Sequence, residues 1–194
     1  MTNAKNQRTN TNLQLRKMVY AAIFLALALV LPLLTGQIPE IGSALSPMHI
    51  PVLLCGFLCG WPWGMAVGFI APLLRSVTFG MPPMIPGAVA MAFELAVYGA
   101  LAGLLYSLLP RKNWAIYVTL IVAMIAGRIV WGLVRLVIAG LTGNAFTMAA
   151  FLAGAVTNAV PGIILHIVLI PILVMALERA GLSLNQPAAG ENGK

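Results

Sequence analysis

A chain of 194 residues has room for one domain, and at 61% hydrophobic and 8% charged, with a mean hydropathy of +0.98, it lies far outside the soluble range. The net charge of +7 does not point to nucleic acid. Its basic residues sit at segment ends and within apolar runs, without the basic stripe or interleaved aromatics of such a surface, so an integral membrane protein with a positive inner side accounts for them.

In chain order, residues 1–15 (MTNAKNQRTNTNLQL) are polar and read as a disordered tail. The apolar run that follows Arg16 and Lys17 is too long for a signal-peptide core and lacks a small-x-small cleavage site, so it is expected as a mature span, 17–35. It carries Ala22 and Ala26, an AxxxA spacing that permits close helix approach. The stretch 35–49 (TGQIPEIGSALSPMH) is rich in Gly and Pro and nearly uncharged, which suits a lid over a cavity mouth, the alternative being a plain connector.

A short second span, 48–60, begins at His49 and holds Cys55 and Cys59, four apart on one helix face, without the spacing of a metal site or a disulfide framework. They read as small packing residues. The third span, 62–79, follows the CGWPWG turn and places Arg75 near its outer end. Gly60, Gly64 and Gly68 form GxxxGxxxG across that turn, a second surface for close approach. The stretch 78–88 (TFGMPPMIPGA) is a second candidate lid.

The fourth span, 86–109, puts Glu94 about 12 Å from its outer end at the helical rise. The fifth, 114–139, runs the other way and carries Arg135 at about 6 Å and Arg128 at about 17 Å. The sixth, 147–179, is overlong. Asn158, Pro161 and Gly162 are expected to bend or break it. Taken as continuous, it would put His166 roughly 25 to 30 Å from the outer surface. Residues 181–194 read as a second disordered tail.

These spans make an all-α integral membrane protein, a bundle of six transmembrane helices occupying residues 16–180. With both termini on the cytoplasmic side of the cell membrane, Lys5, Arg8, Arg16, Lys17, Arg111, Lys112, Arg179 and Lys194 lie inside. The other basic residues, Arg75, Arg128 and Arg135, fall within spans. The intramembrane polar residues then gather in the outer half, a bias that a purely structural protein has no reason to show.

Burying an arginine in a bilayer costs from about 2.5 kcal/mol upward, so such residues face the bundle interior and find partners. Arg128, Trp131 and Arg135 share one helix face. Three cations against one intramembrane acid, Glu94, leave a positive excess that a carboxylate, a phosphate or several carbonyl acceptors on a ligand would meet. Arg75 and Arg135 lie near the interface, where snorkelling to headgroups is the alternative. The candidate binding residues are therefore Glu94, Arg128, Trp131, Arg135, Asn158 and His49. Metalloprotease, hydrolase and P-loop motifs are absent and no cofactor or metal is expected. An intramembrane enzyme would need chemistry between Glu94 and His166, which this reading places at different depths. A self-sufficient secondary transporter or channel would have to oligomerise to reach the usual two-repeat size.

Over most of residues 15–180 the chain is similar to the substrate-binding S components of energy-coupling factor (ECF) transporters. The likeness rests on AAIFLALA in the first span, on SPMHIPVLLCGFLCGWPWGMAVGFIAPLLRS after the first outer loop, and on FELAVYGALAGLLY in the fourth span. It implies a membrane subunit, without its own ATPase, that captures a vitamin or related micronutrient from outside. It also implies partners: Ala22 and Ala26 would pack against a transmembrane coupling subunit carrying two ATPases, and the S component would topple to release substrate inward. Within the family's ligands the cationic excess favours an anion such as pantothenate over folate or a flavin phosphate. Riboflavin and a queuosine precursor, whose amine could use Glu94, stay open, and thiamine fits poorly.

Overall fold

The computed structural model describes residues 2–34, 45–143, 147–155 and 157–185. All the regular secondary structure among the described residues is helical, with no strand. In order they form α1 (Thr2–Leu34), α2 (His49–Cys59), α3 (Trp61–Phe79), a π-helical turn (Met84–Ala88), α4 (Val89–Leu108), α5 (Asn113–Thr142), α6 (Met148–Ala155), a 3-10 turn (Thr157–Ala159) and α7 (Val160–Arg179). Asn10–Leu34, Met84–Leu108, Asn113–Thr142 and Val160–Arg179 are each long and apolar enough to cross a bilayer. The helix of α1 extends back through the polar stretch read as a tail. Once a long apolar helix is nucleated, adding each further residue costs little.

The core is α2, α3 and α4. Every residue of α2 except Ile50 is buried, so this short helix is sheathed by its neighbours and its apolar composition serves packing. Gly60, with φ +96°, reverses the chain between α2 and α3, a backbone conformation that L side chains rarely adopt. The glycines then let the helices touch. A Cβ on Gly68 would fall on the Leu95 carbonyl, and one on Gly99 on the Gly64 carbonyl. The GxxxGxxxG surface is thus consumed inside the chain, between α3 and α4.

Helix α1 lies on the outside of this core. Ala21, Phe24 and Ala28 face inward and are buried, while Ala22, Ile23, Ala26 and Leu27 are exposed. Arg75 fastens α1 to α3: its Nη1 donates to the Leu29 carbonyl at 2.6 Å and its guanidinium stands 5.0 Å from the Phe79 ring centre. Pro32 interrupts the backbone ladder in the same turn of α1. Arg75 is only 4% exposed. It is therefore an interhelical tie rather than a residue reaching the headgroups.

The last span is broken, as expected from Asn158, Pro161 and Gly162. Helix α6 ends at Ala155 and α7 starts at Val160. Of the first candidate lid, 35–49, residues 35–44 lie outside the described residues, and of the tail 181–194 so do residues 186–194. Of the second candidate lid, residues 78–88, Gly80 caps α3 with φ +71°, cis peptides precede Pro82 and Pro86, and Ala88 is fully buried.

Candidate functional site

Glu94 is the sixth residue of α4 and is 1% exposed. Two other helices bring cations or potential cations to one of its oxygens. Arg128 Nη1 of α5 lies 3.1 Å from Glu94 Oε1, and His49 Nε2, at the first residue of α2, lies 3.6 Å from the same atom. Helix α5 passes this point on a glycine: a Cβ at Gly127 would overlap the Tyr98 ring, so the close crossing sets Arg128 beside Glu94.

Tyr98, one turn below Glu94 on α4, packs edge-on against His49 with ring centres 5.1 Å apart. On the other side of His49 the ring of His166 from α7 is stacked at 5.7 Å. The site is thus a layered cluster of Tyr98, His49 and His166, with the Glu94 and Arg128 pair at its edge.

The depth expected for His166 is overturned by this contact. A continuous sixth span would have carried it far past Glu94. Because the chain restarts its helix at Val160, His166 is only about 9 Å along α7 at the helical rise. His166 and Glu94 therefore both border His49, and the wide separation expected between them does not hold.

The hydrogen bonding of this cluster is incomplete. Both ring nitrogens of His49, Nε2 of His166, Nε of Arg128 and Oε1 of Glu94 are buried without a hydrogen-bond partner among the described residues. The Arg128 and His49 contacts to Glu94 are close in distance but not aligned as hydrogen bonds. An unsatisfied buried polar group costs about 1 to 3 kcal/mol, so five in one place are an unusual burden for a core. Donors and acceptors alternate across a few ångströms here, which suits a ligand carrying both kinds of group.

Arg135 and Trp131 occupy the next turns of α5. The Arg135 guanidinium stands 5.5 Å from the Trp131 ring centre, and Trp131 lies 6.3 Å from the Phe151 ring of α6. A Cβ at Gly154 would meet the Trp131 ring, so α6 rests directly on this indole. Asn158 falls in the 3-10 turn between α6 and α7, and its side chain lies outside what the structure describes. Of the residues singled out from the sequence, Arg128 and His49 both meet Glu94, and Trp131 and Arg135 form an adjoining aromatic and cationic wall. Arg75 is turned away toward α1.

The sequence reading missed Tyr98, His166 and Phe151. Tyr98 was detectable, since it stands four residues after Glu94 and must share its face. His166 was detectable too, once the break before Val160 was allowed to reset its depth. Phe151 left no signal, because an apolar ring in an apolar helix is indistinguishable from packing. Three or more His, Cys, Asp or Glu side chains placed to hold a metal ion do not occur among the described residues.

A family model for the ECF transporter substrate-specific component matches residues 16–174. No curated protein and no solved structure matches the chain.

Proposed function

The chain belongs to the substrate-specific components of ECF transporters, and on that premise we propose that it captures a vitamin-like micronutrient at the Glu94, Arg128, His49 and His166 cluster. Proteins of this family are substrate-binding transporter subunits rather than enzymes. One observation carries the site assignment: the group of buried polar atoms left without hydrogen bonds in the middle of an otherwise apolar bundle. A ligand that supplies those bonds recovers their desolvation cost, which gives it both affinity and selectivity.

The chemistry of the ligand follows from the charges. Glu94 lies against Arg128, and Arg135 stands over Trp131 on the adjoining wall of the site. A carboxylate directed at Arg135, with amide or hydroxyl groups reaching the imidazoles and the Nε edge of Arg128, describes pantothenate better than folate, riboflavin or a flavin phosphate. A queuosine precursor would instead place its amine against Glu94. Asn158 and the stretches 35–49 and 78–88 belong to the same proposal, as a further contact and as lids.

Coupling is assigned to α1. Ala22 and Ala26 lie on its exposed face, opposite the buried Ala21 and Ala28, so a transmembrane coupling subunit linked to two ATPases can reach them without disturbing the core. The proposed topology is six spans with both termini in the cytoplasm of a cell whose plasma membrane holds the complex. Calorimetric titration of the purified protein with pantothenate, folate, riboflavin, thiamine, pyridoxal and a queuosine precursor tests the ligand. Nanomolar binding of pantothenate alone is the expected result. Tight binding of another compound replaces the ligand, and uptake by the isolated chain on a proton gradient alone would overturn the dependence on an ATPase module.

A further inference from the structure

The opposite end of the bundle, where the middle of α1, the α2–α3 turn, the end of α4 and the segment after α7 meet, holds a separate cavity of about 280 Å³. Gln14, Lys17, Gly60, Trp61, Trp63 and Asn185 are among its lining residues. It shares no residue with the Glu94 cluster.

Its wall is firmly built. Leu184 N–H donates to the Leu58 carbonyl at 2.7 Å, Asn185 Nδ2 donates to the Gly103 carbonyl at 3.2 Å, and Arg111 donates to the Asn185 carbonyl. Leu184 and Asn185 are buried as a result. On the facing side the reversed backbone at Gly60 leaves room for the Asn185 side chain, which a Cβ there would meet at 3.3 Å. A cavity held between such partners is preorganised rather than a gap between mobile ends.

Its chemistry is cationic and amphipathic. Lys17 is half-buried, and no carboxylate among the described residues answers it: Glu94 is taken by Arg128 and His49, and Glu178 by Arg111 and Tyr106. Gln14 adds amide donors and the two indoles add N–H donors on apolar planes. Outside the cavity, Trp61, Leu108 and Trp114 are exposed at the same end, the arrangement of rings that sit where hydrocarbon meets headgroups. A ligand that fits has one negative, oxygen-rich group for Lys17 and an apolar continuation past the tryptophans.

We propose that this cavity is a phosphate-ester site that holds the headgroup of an anionic phospholipid between Lys17 and the indoles of Trp61 and Trp63. An ammonium is a compact donor well suited to a phosphate oxygen. The cavity admits the headgroup, and the acyl chains remain in the bilayer alongside α1 and α3. Such a lipid would tie α1, the helix assigned to coupling, to the α2–α3 turn.

Native mass spectrometry of the detergent-solubilised full chain tests this, with dioleoyl phosphatidylglycerol against dioleoylglycerol, which has the same tails and no phosphate. The expected result is retention of phosphatidylglycerol, about tenfold weaker retention in Lys17→Gln, recovery in Lys17→Arg, and no change in Lys112→Gln, a charge loss outside the cavity. Circular dichroism of each variant checks folding, and quenching of tryptophan fluorescence on lipid addition reports the indoles independently. Competition by glycerol phosphate at millimolar concentration would identify a soluble phosphate ester as an alternative source of the same group. Equal retention of dioleoylglycerol, or equal losses in Lys17→Gln and Lys112→Gln, would overturn the site.

Discussion

Among the described residues a glutamate lies against an arginine twice, once where α7 finishes and once inside the bundle, and the two pairs are built differently. Where α7 finishes, Glu178 accepts from Arg111 at 2.9 Å and from Tyr106 through both carboxylate oxygens at 3.0 and 2.9 Å, while Arg111 stacks over Tyr106 and reaches the Asn185 carbonyl. That pair is partly exposed and fully bonded. Glu94 and Arg128 are more deeply buried, yet their distances do not resolve into hydrogen bonds, and both ring nitrogens of His49 and Nε2 of His166 beside them are unsatisfied as well. Low dielectric makes the second arrangement expensive and the first cheap. The contrast separates a fastening from a binding site more clearly than burial or charge does alone.

The comparison can be broken at its strongest point. Arg128→Ala should abolish ligand binding, a loss of more than about 100-fold for a charged group bonded to the ligand, with helical content retained by circular dichroism. Affinity equal to the parent protein would remove Arg128 from the pocket. It would also leave the unsatisfied cluster without a functional reading.

A change that touches neither pair sharpens it. Ala22→Trp and Ala26→Trp should leave the calorimetric affinity within about twofold and cut ATP-driven uptake by the full complex about tenfold or more, since bulk on the exposed face of α1 prevents close helix approach. Uptake at the parental rate in both variants would take coupling away from these alanines.

The smallest effect belongs to the satisfied pair. Glu178→Gln should cost about 1 kcal/mol of stability, seen as a modest fall in melting temperature, and leave ligand affinity unchanged. A large loss of binding in that variant would show the two pairs to be coupled, and the division between fastening and site would fail.

How much of this was readable in advance depended on which physical signal each residue leaves. Glu94 and Arg128 stand out in any reading because a charge in an apolar run has so few reasons to be there. Arg75 sends the same signal, yet it satisfies the Leu29 carbonyl across two helices. The sequence offers no means of telling an arginine that ties helices from one that meets a ligand. His166 was mislaid for a different reason: helix rise converts residue number to depth only while the helix is continuous, and the chain restarts its helix at Val160. The glycine spacing at Gly60, Gly64 and Gly68 announced close approach without naming the partner, which proved to be α4 of the same chain.

By itself the sequence determined that this is a helical membrane protein of the S-component family, since apolar run length and motif identity are local properties that need no knowledge of neighbours. It also determined which residues are costly to bury. Only the tertiary structure decided which of those costs are met: Arg75 and Glu178 are satisfied by partners 46 and 72 residues away, whereas the atoms around Glu94 are not. Hydrogen-bond satisfaction depends on the positions of groups brought together from distant segments, and no periodicity or composition along the chain encodes it.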